Sequence, residues 1–403
     1  MIDLAIVGAG PAGLSAAISA AENGLKVTII DEFVKPGGRL LGQLHEEPDG
    51  KWVNGITEAE KLFKRATQLG VTIKCGVSVY DLVQLDNGWC LYTTGSIIKT
   101  KSLLLATGAS ETAIPIPGWT LPGVMSVGAA QVMGNVHRVK PGENGMIIGV
   151  NVLSVAIARE LQLCGVNIKG IILPQPSLIS GDASNPEKNM ESLLRLAHLA
   201  PSPLIRFGGK LVNPKLGARL YPKNGFKMWG IPIQLRKTAI EILGDTQVDG
   251  VRIADITATG EIVPGTEKVV PVDFVCIAGG LQPLSELAAV AGCSFKHIPQ
   301  LGGHIPLHNE RMQTNLKGLY VAGNITGVES AKVAMAQGKV AGLSIAAERK
   351  TLSNRMNHQI QEAIENVKET RRKALIQFQP GIEDSRTQLY NNFNKFSEVK
   401  VSI

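Results

Sequence analysis

Apolar runs alternate with glycine turns along this chain. Leu4 to Val7 is an apolar run that enters Gly8-Ala9-Gly10-Pro11-Ala12-Gly13, after which an Ala-rich segment of helical spacing ends at Gly24. A second run, Lys26 to Ile30, closes on Asp31. Strand, glycine turn, helix and strand in this order predict a βαβ unit. Beyond Gly37-Gly38, Ile56 to Leu69 has helical spacing, and short β-patterned runs follow with turns at Asn87-Gly88 and Thr94-Gly95. Leu103 to Ala106 predicts a buried strand that ends in a tight turn at Thr107-Gly108.

The pattern then repeats. Gly145 to Gly149 opens a second βαβ unit, which continues through helical Leu153 to Leu163 and a strand at Val166 to Leu173. Its glycine fingerprint is altered to Gly149-Val150-Asn151-Val152-Leu153-Ser154, and Pro174 stands where an acid would close the second strand. After Lys237 the chain is β-patterned, with turns at Asp249-Gly250 and Thr259-Gly260. Phe274 to Gly280 and Leu319 to Asn324 repeat the strand-then-glycine form, and the latter leads into a helical stretch from Ser330 to Lys350. The expected fold is α/β, with two Rossmann-like ββα-type nucleotide-binding domains, the second inserted into the first, and a helical C-terminal tail. Residues 1–112 and 270–350 are expected to form the first domain, 113–269 the second, and 351–403 the tail, whose Tyr390, Phe393 and Phe396 suit docking to a partner, with a disordered tail as the alternative.

Composition supports this division and removes other classes. A chain of 403 residues exceeds what one core usually organises. Hydrophobic residues at 44% and charged residues at 19% exclude a largely disordered chain. The five cysteines, Cys75, Cys90, Cys164, Cys276 and Cys293, are far apart, and none forms a C-x-x-C pair. This argues against a disulfide framework, a zinc finger, a locally ligated iron–sulfur cluster and a dithiol centre, and it fits the cytoplasm. The net charge is +7, but from Arg349 onward ten Lys and Arg face six Asp and Glu, so much of the excess lies in the tail. No nucleic-acid-binding motif accompanies it. The weakly charged first two dozen residues carry Asp3 rather than a basic cluster and are broken by glycines and Pro11, so neither a secretory signal nor a membrane span is expected.

The first glycine motif has a specific chemistry. Gly8 allows the tight turn, Gly10 lets the backbone approach a pyrophosphate, and Gly13 lets the helix pack on the strand. Pro11 and Ala12 open the helix whose N–H groups face the dianion, and Asp31, followed by Glu32, would accept hydrogen bonds from an adenosine ribose. Together with Gly37-Gly38-Arg39, Ala106-Thr107-Gly108 and Val321-Ala322-Gly323-Asn324, this motif resembles the two-dinucleotide-binding flavoproteins of the pyridine nucleotide-disulfide oxidoreductase superfamily. The resemblance implies FAD, held by these segments and closed over by Gly323, Asn324, Gly327 and Val328. Asn324 stands where that superfamily usually has Asp, and its amide oxygen can still accept from a ribityl hydroxyl.

A narrower resemblance rests on Gly108-Ala109-Ser110-Glu111, on Pro117-Gly118-Trp119-Thr120-Leu121-Pro122-Gly123-Val124-Met125, on Gly280 to Leu287 and on Gly323 to Ser330. These segments resemble the α-type subunits of heteromeric sarcosine oxidase, dye-linked proline dehydrogenase, opine oxidase and hydrogen cyanide synthase, over roughly residues 1 to 350. The resemblance implies an FAD-binding subunit that exchanges electrons with a partner of the amino-acid-oxidase type, where a small amine or amino acid is dehydrogenated. Several such chains continue into a cysteine-rich iron–sulfur module; no cysteine follows Lys350 here. NAD(P), another second nucleotide, and FMN at a subunit interface are left open. Two alternatives stand beside this reading: a stand-alone NAD(P)H-dependent flavin oxidoreductase, and a non-catalytic assembly subunit with a structural nucleotide.

Catalytic residues are not assignable from the pattern. A helix beginning near Gly327-Val328-Glu329 would turn its positive end toward the flavin. His45 follows the Gly37-Gly38 turn and could approach the flavin region, although a lone histidine in a surface loop is more often structural. His304 and His308 are separated by Pro306, which forbids a helical pair, so no metal site is expected. Cys276 and Cys293 read as core or loop thiols.

Overall fold

The run Ile2–Val7 lies in the parallel part of a mixed sheet, and both of its faces are covered. Leu4, Ala5 and Ile6 have no exposed surface. The computed structural model of the chain describes residues 2–47, 50–195, 213–349, 353–376, 378 and 381–401. They fall into two compact units: Met1–Leu41, Gly55–Ser110 and Leu281–Ile403 in one, Gly42–Asn54 and Glu111–Gly280 in the other.

In the first unit a seven-stranded sheet runs in the order Thr72–Cys75, Val27–Asp31, Ile2–Val7, Ile98–Leu105, Gly88–Thr93 and Val79–Leu85. The late strand Leu319–Val321 lies parallel to Ile98–Leu105, with Val321 beside Leu105. Val7 is paired with both Ile30 and Leu105, so the C-terminal ends of these strands meet at one edge. That edge is where an open α/β sheet receives a ligand.

The helix Pro11–Glu22 packs on the long helix Ala331–Arg349 at very short range. A Cβ on Gly338 would come within 2.1 Å of the Ala12 carbonyl oxygen, and one on Gly342 within 2.5 Å of that of Ala16. Small residues one turn apart thus let the two backbones touch, and Leu14, Val340 and Ala341 close the core around them. The long helix begins at Ala331, one residue after the Ser330 of the apolar pattern and beyond the start expected near Gly327-Val328-Glu329, because Gly323, Gly327 and the buried Glu329 precede it in a turn.

The tail folds onto the first unit. Asn354–Arg372 packs against Ala331–Arg349 through Ile360, Ala363, Ile364 and Val367. Ile382–Val401 places Ile382 and Leu389 with Ile298, Leu301, Ile305 and Leu307 in a small apolar cluster. The Phe396 side chain, expected to serve docking, lies outside the described residues.

The second unit repeats the first in outline. Val124–Ser126, Phe274–Ile277, Asn144–Ile148, Asn167–Pro174 and Ile231–Leu243 are consecutive parallel neighbours, and Gly250–Asp255 and Lys268–Pro271 extend the sheet antiparallel. The hairpin Leu44–Glu46 with Trp52–Asn54, which the sequence pattern leaves in the first domain, belongs to this unit. The reason is polar. Asn135 Nδ2 donates to the Gly42 carbonyl at 2.6 Å and to Glu160 Oε2 at 2.5 Å; Gln131 Nε2 donates to the same oxygen at 2.9 Å and Leu44 N to Glu160 Oε1 at 3.4 Å. Glu160 is 5% exposed, and burial pushes its carboxyl up to about 7, with the neutral donors of Gln131, Leu44 and Asn135 pulling the other way.

Candidate functional site

The glycines of the first motif do three different jobs. Gly8 adopts φ +106°, and a Cβ there would lie 2.3 Å from the Ala106 carbonyl oxygen, so this position must be bare for the two strand ends to converge. A Cβ on Gly13 would lie 1.9 Å from the Gly8 carbonyl oxygen, which fixes the helix against the turn. Gly10 differs from both. It is the N-cap of the helix, followed by Pro11, and nothing lies within 4 Å of where its Cβ would be. Open space in front of a helix N-terminus, reached by bare backbone, is what a pyrophosphate needs.

Other predicted residues converge here. Gly37 N donates to the Ala9 carbonyl at 2.8 Å, and a Cβ on Gly38 would approach Gly10 Cα to 3.0 Å, so this turn borders the same opening. Arg39 Nε donates to the Ala109 carbonyl at 3.0 Å. Thr107 Oγ1 donates to the Leu284 carbonyl at 2.5 Å, and Leu284 N donates to the Gly108 carbonyl at 3.1 Å, which anchors the middle turn. Gly323 lies against the start of the first helix, where its Cβ would be 2.8 Å from that of Ala12, and its N–H donates to Gln337 Oε1 at 2.9 Å.

Asp31 braces the glycine turn. Its Oδ2 accepts from Ala9 N at 2.5 Å and its Oδ1 from Phe33 N at 2.8 Å, so the carboxylate holds the glycine turn from the next strand. Burial raises its pKa against the pull of those two backbone donors. Each oxygen keeps a lone pair for a further donor. Glu32 is exposed.

The Asn324 segment is held by groups that sequence reasoning overlooked. Asn324 Oδ1 accepts from Glu329 N at 3.2 Å, and Gly327 and Val328 lie under Leu301 and the Arg386 guanidinium. The Glu329 carboxylate is buried. Arg371 grips it through Nε at 2.5 Å and Nη2 at 3.2 Å, while Arg386 adds Nη2 at 2.7 Å. Burial alone would raise the Glu329 pKa; Arg386 and Arg371 outweigh it and hold the carboxyl below its usual range. Both arginines come from the tail, at 42 and 57 residues from Glu329, and no local motif announces such a triad.

The second unit offers an instructive comparison. Gly149 has φ +115°, and a Cβ there would lie 2.2 Å from the Ala278 carbonyl oxygen, repeating the relation of Gly8 to Ala106. Where the first unit has Gly10, Asn151 caps its helix in a reciprocal box with Ser154: Asn151 Oδ1 accepts from Ser154 N at 3.0 Å and Ser154 Oγ from Asn151 N at 2.9 Å. Its Nδ2 donates to the Ala278 carbonyl at 2.9 Å. The side chain therefore fills and satisfies the cradle that stays open at Gly10. Among the described residues, no group of three or more His, Cys, Asp or Glu could hold a metal ion, and no helix is long and apolar enough to cross a membrane. Cys276 and Cys293 are buried, which raises both thiols.

Comparison with known proteins agrees with this geometry. One of the opine oxidase subunits of Agrobacterium tumefaciens is 27% identical over 364 residues, covering 87% of this chain and 66% of that protein. Hydrogen cyanide synthase subunit HcnB of Pseudomonas aeruginosa is 27% identical over 400 residues, covering 94% of this chain and 77% of that protein. This chain thus spans just under two thirds of the length of that opine oxidase protein. The crystal structure of L-proline dehydrogenase from P. horikoshii superposes with a TM-score of 0.64 at 18% identity, over 90% of this chain and 58% of that one, and so shares the fold. The pyridine nucleotide-disulphide oxidoreductase model matches residues 2–338, and with the paired glycine turns described above this places the chain in that family of nucleotide-binding oxidoreductases.

Proposed function

We propose that the chain binds FAD in its first unit and acts as the α-type subunit of a heteromeric amine or amino-acid dehydrogenase or oxidase. The observation that carries the cofactor reading is the open cradle at Gly10, bordered by Gly38 and Gly323 and backed by Asp31. The residues present fit a dinucleotide: bare backbone and free helix N–H groups for the pyrophosphate, and a carboxylate with spare lone pairs for the ribose. In this reading Asn324 meets the ribityl chain, and Arg39 stands at the rim. A bound flavin would supply hydride and electron acceptance, which no side chain can provide. The chain's own part is to bind, orient and shield: the Glu329 triad fixes the turn after Asn324 and keeps water from its inner side.

The subunit role is supported by the relatives, which are named as subunits of opine oxidase and hydrogen cyanide synthase. We infer further that its partner is of the amino-acid-oxidase type and acts on a small amine or amino acid, as the resemblance of the sequence to α-type subunits implies. The filled cradle at Asn151 counts against a stand-alone NAD(P)H-dependent reductase. Purification of the chain with its native partner, followed by analysis of released cofactors, tests the proposal. FAD in the chain, and turnover of sarcosine, proline, glycine or an opine only in the complex, are expected. Rapid anaerobic bleaching of the lone chain by NADH would favour the reductase instead.

A further inference from the structure

Two histidines that no sequence motif links face each other across a hairpin. The strands Phe295–Ile298 and Gly303–Pro306 are antiparallel, and His297 is the direct partner of His304. The ring centroids are 4.8 Å apart with an interplanar angle of 51°. Both side chains are exposed, and among the described residues neither ring makes a hydrogen bond or ion pair, so their nitrogen lone pairs are unspent. The hairpin beneath them is firm: Ile298 and Ile305 are buried with Leu301 against Ile382 and Leu389 of the tail. His308, the neighbour that sequence spacing suggests, is fully buried, and its Nδ1 is engaged with the Pro306 carbonyl at 2.7 Å.

We propose that His297 and His304 form a surface chelate for a divalent late transition ion, with Cu2+ the preferred one. Neutral imidazole is a borderline ligand that suits Cu, Ni and Zn, and Cu2+ leads the affinity order of divalent first-row ions. Two nitrogens bound side by side at about 2.0 Å from an ion stand about 2.8 Å apart, which rings already in contact reach by small rotations. A β-hairpin fixes the second ring near the first, so its binding is intramolecular and the pair outdoes either histidine alone. With two protein ligands, water completes the coordination, and the ion exchanges readily.

Titration of the full chain with Cu2+ near neutral pH, followed by calorimetry and electron paramagnetic resonance, tests the site. One ion with hyperfine coupling to two imidazole nitrogens is expected. His297→Gln and His304→Gln should each weaken binding by at least ~10-fold. His358→Gln, which removes the exposed His358–Glu362 pair, should leave it unchanged. Equal affinity in all variants, coupling to a single nitrogen, or loss of binding only in His358→Gln would overturn the proposal. In the wild-type chain the ion should also shield His297 and His304 from diethyl pyrocarbonate, read by peptide mass mapping; unaltered modification of both would overturn it independently.

Discussion

Replacing Glu160 by Gln should change how stability depends on pH, in a direction set by its surroundings. The folded carboxyl sits near 7 against an ordinary value of 4.5, because burial disfavours its charge and its hydrogen-bond donors Gln131, Asn135 and Leu44 are neutral. A folded value above the unfolded one means that the folded state holds the proton more tightly. The resulting stabilisation is complete below the unfolded value and is lost as pH rises through the folded one. At 1.36 kcal/mol per pH unit the whole effect is about 3 kcal/mol, of which about 2 kcal/mol falls between about pH 5 and pH 7. His308 opposes it. Burial and the nearby Arg386 push that imidazole down to about 3, so its contribution is present above the ordinary value of 6.5 and lost as pH falls. The wild-type profile is therefore flattened, and only the difference between wild type and Glu160→Gln isolates the carboxyl. Urea unfolding of both chains at several pH values measures it. The difference should shift by about 2 kcal/mol over that window, toward the variant as pH rises; a flat difference would refute the reasoning.

Three further outcomes are expected. Gly10→Ala should cost no more than about 1 kcal/mol of stability, since its Cβ meets open space and only a glycine N-cap is lost, yet weaken dinucleotide binding at least ~10-fold in flavin titrations, whereas Gly13→Ala should destabilise the fold by about 1–3 kcal/mol because its Cβ collides with backbone. Glu329→Gln leaves two buried arginines without their anion and should cost about 3–5 kcal/mol, with hydrogen exchange accelerated first in the tail helices. Asp31→Ala should lower FAD affinity roughly ten- to hundred-fold and also loosen the glycine turn, because Ala9 N loses its acceptor; undiminished flavin occupancy after gel filtration would exclude the ribose role.

What is legible in the sequence follows the range of each interaction. The Gly8 motif and Asp31 stand out because strand, turn, helix and acid lie within one βαβ unit, and the structure joins them as the glycine spacing implies. Asn151 visibly lacks the glycine's openness, but that it closes a capping box with Ser154 and binds Ala278 takes the fold to reveal. Glu329, Arg371 and Arg386 are invisible as a group: two of them sit in a stretch whose polarity resembles a solvated tail, and their meeting depends on how helices pack. Glu160 looks like an ordinary helical acid until Gly42–Asn54 covers it. Sequence spacing sets His304 beside His308, four places along, whereas its partner is fixed by a hairpin register that composition cannot supply.

The interleaving of early and late strands carries a consequence for biosynthesis. Ile98–Leu105 must receive both Ile2–Val7 and Leu319–Val321, and the turn after Asn324 waits for Arg371 and Arg386. A growing chain emerges N-terminal first, so most of the second unit, drawn from one continuous stretch, can condense on the ribosome while the glycine motif stays without its late neighbours. The cradle at Gly10 is made before the strand and the arginines that complete it. During translation its apolar strands are exposed edges, and the chain at that stage would depend on chaperone protection far more than the finished protein does.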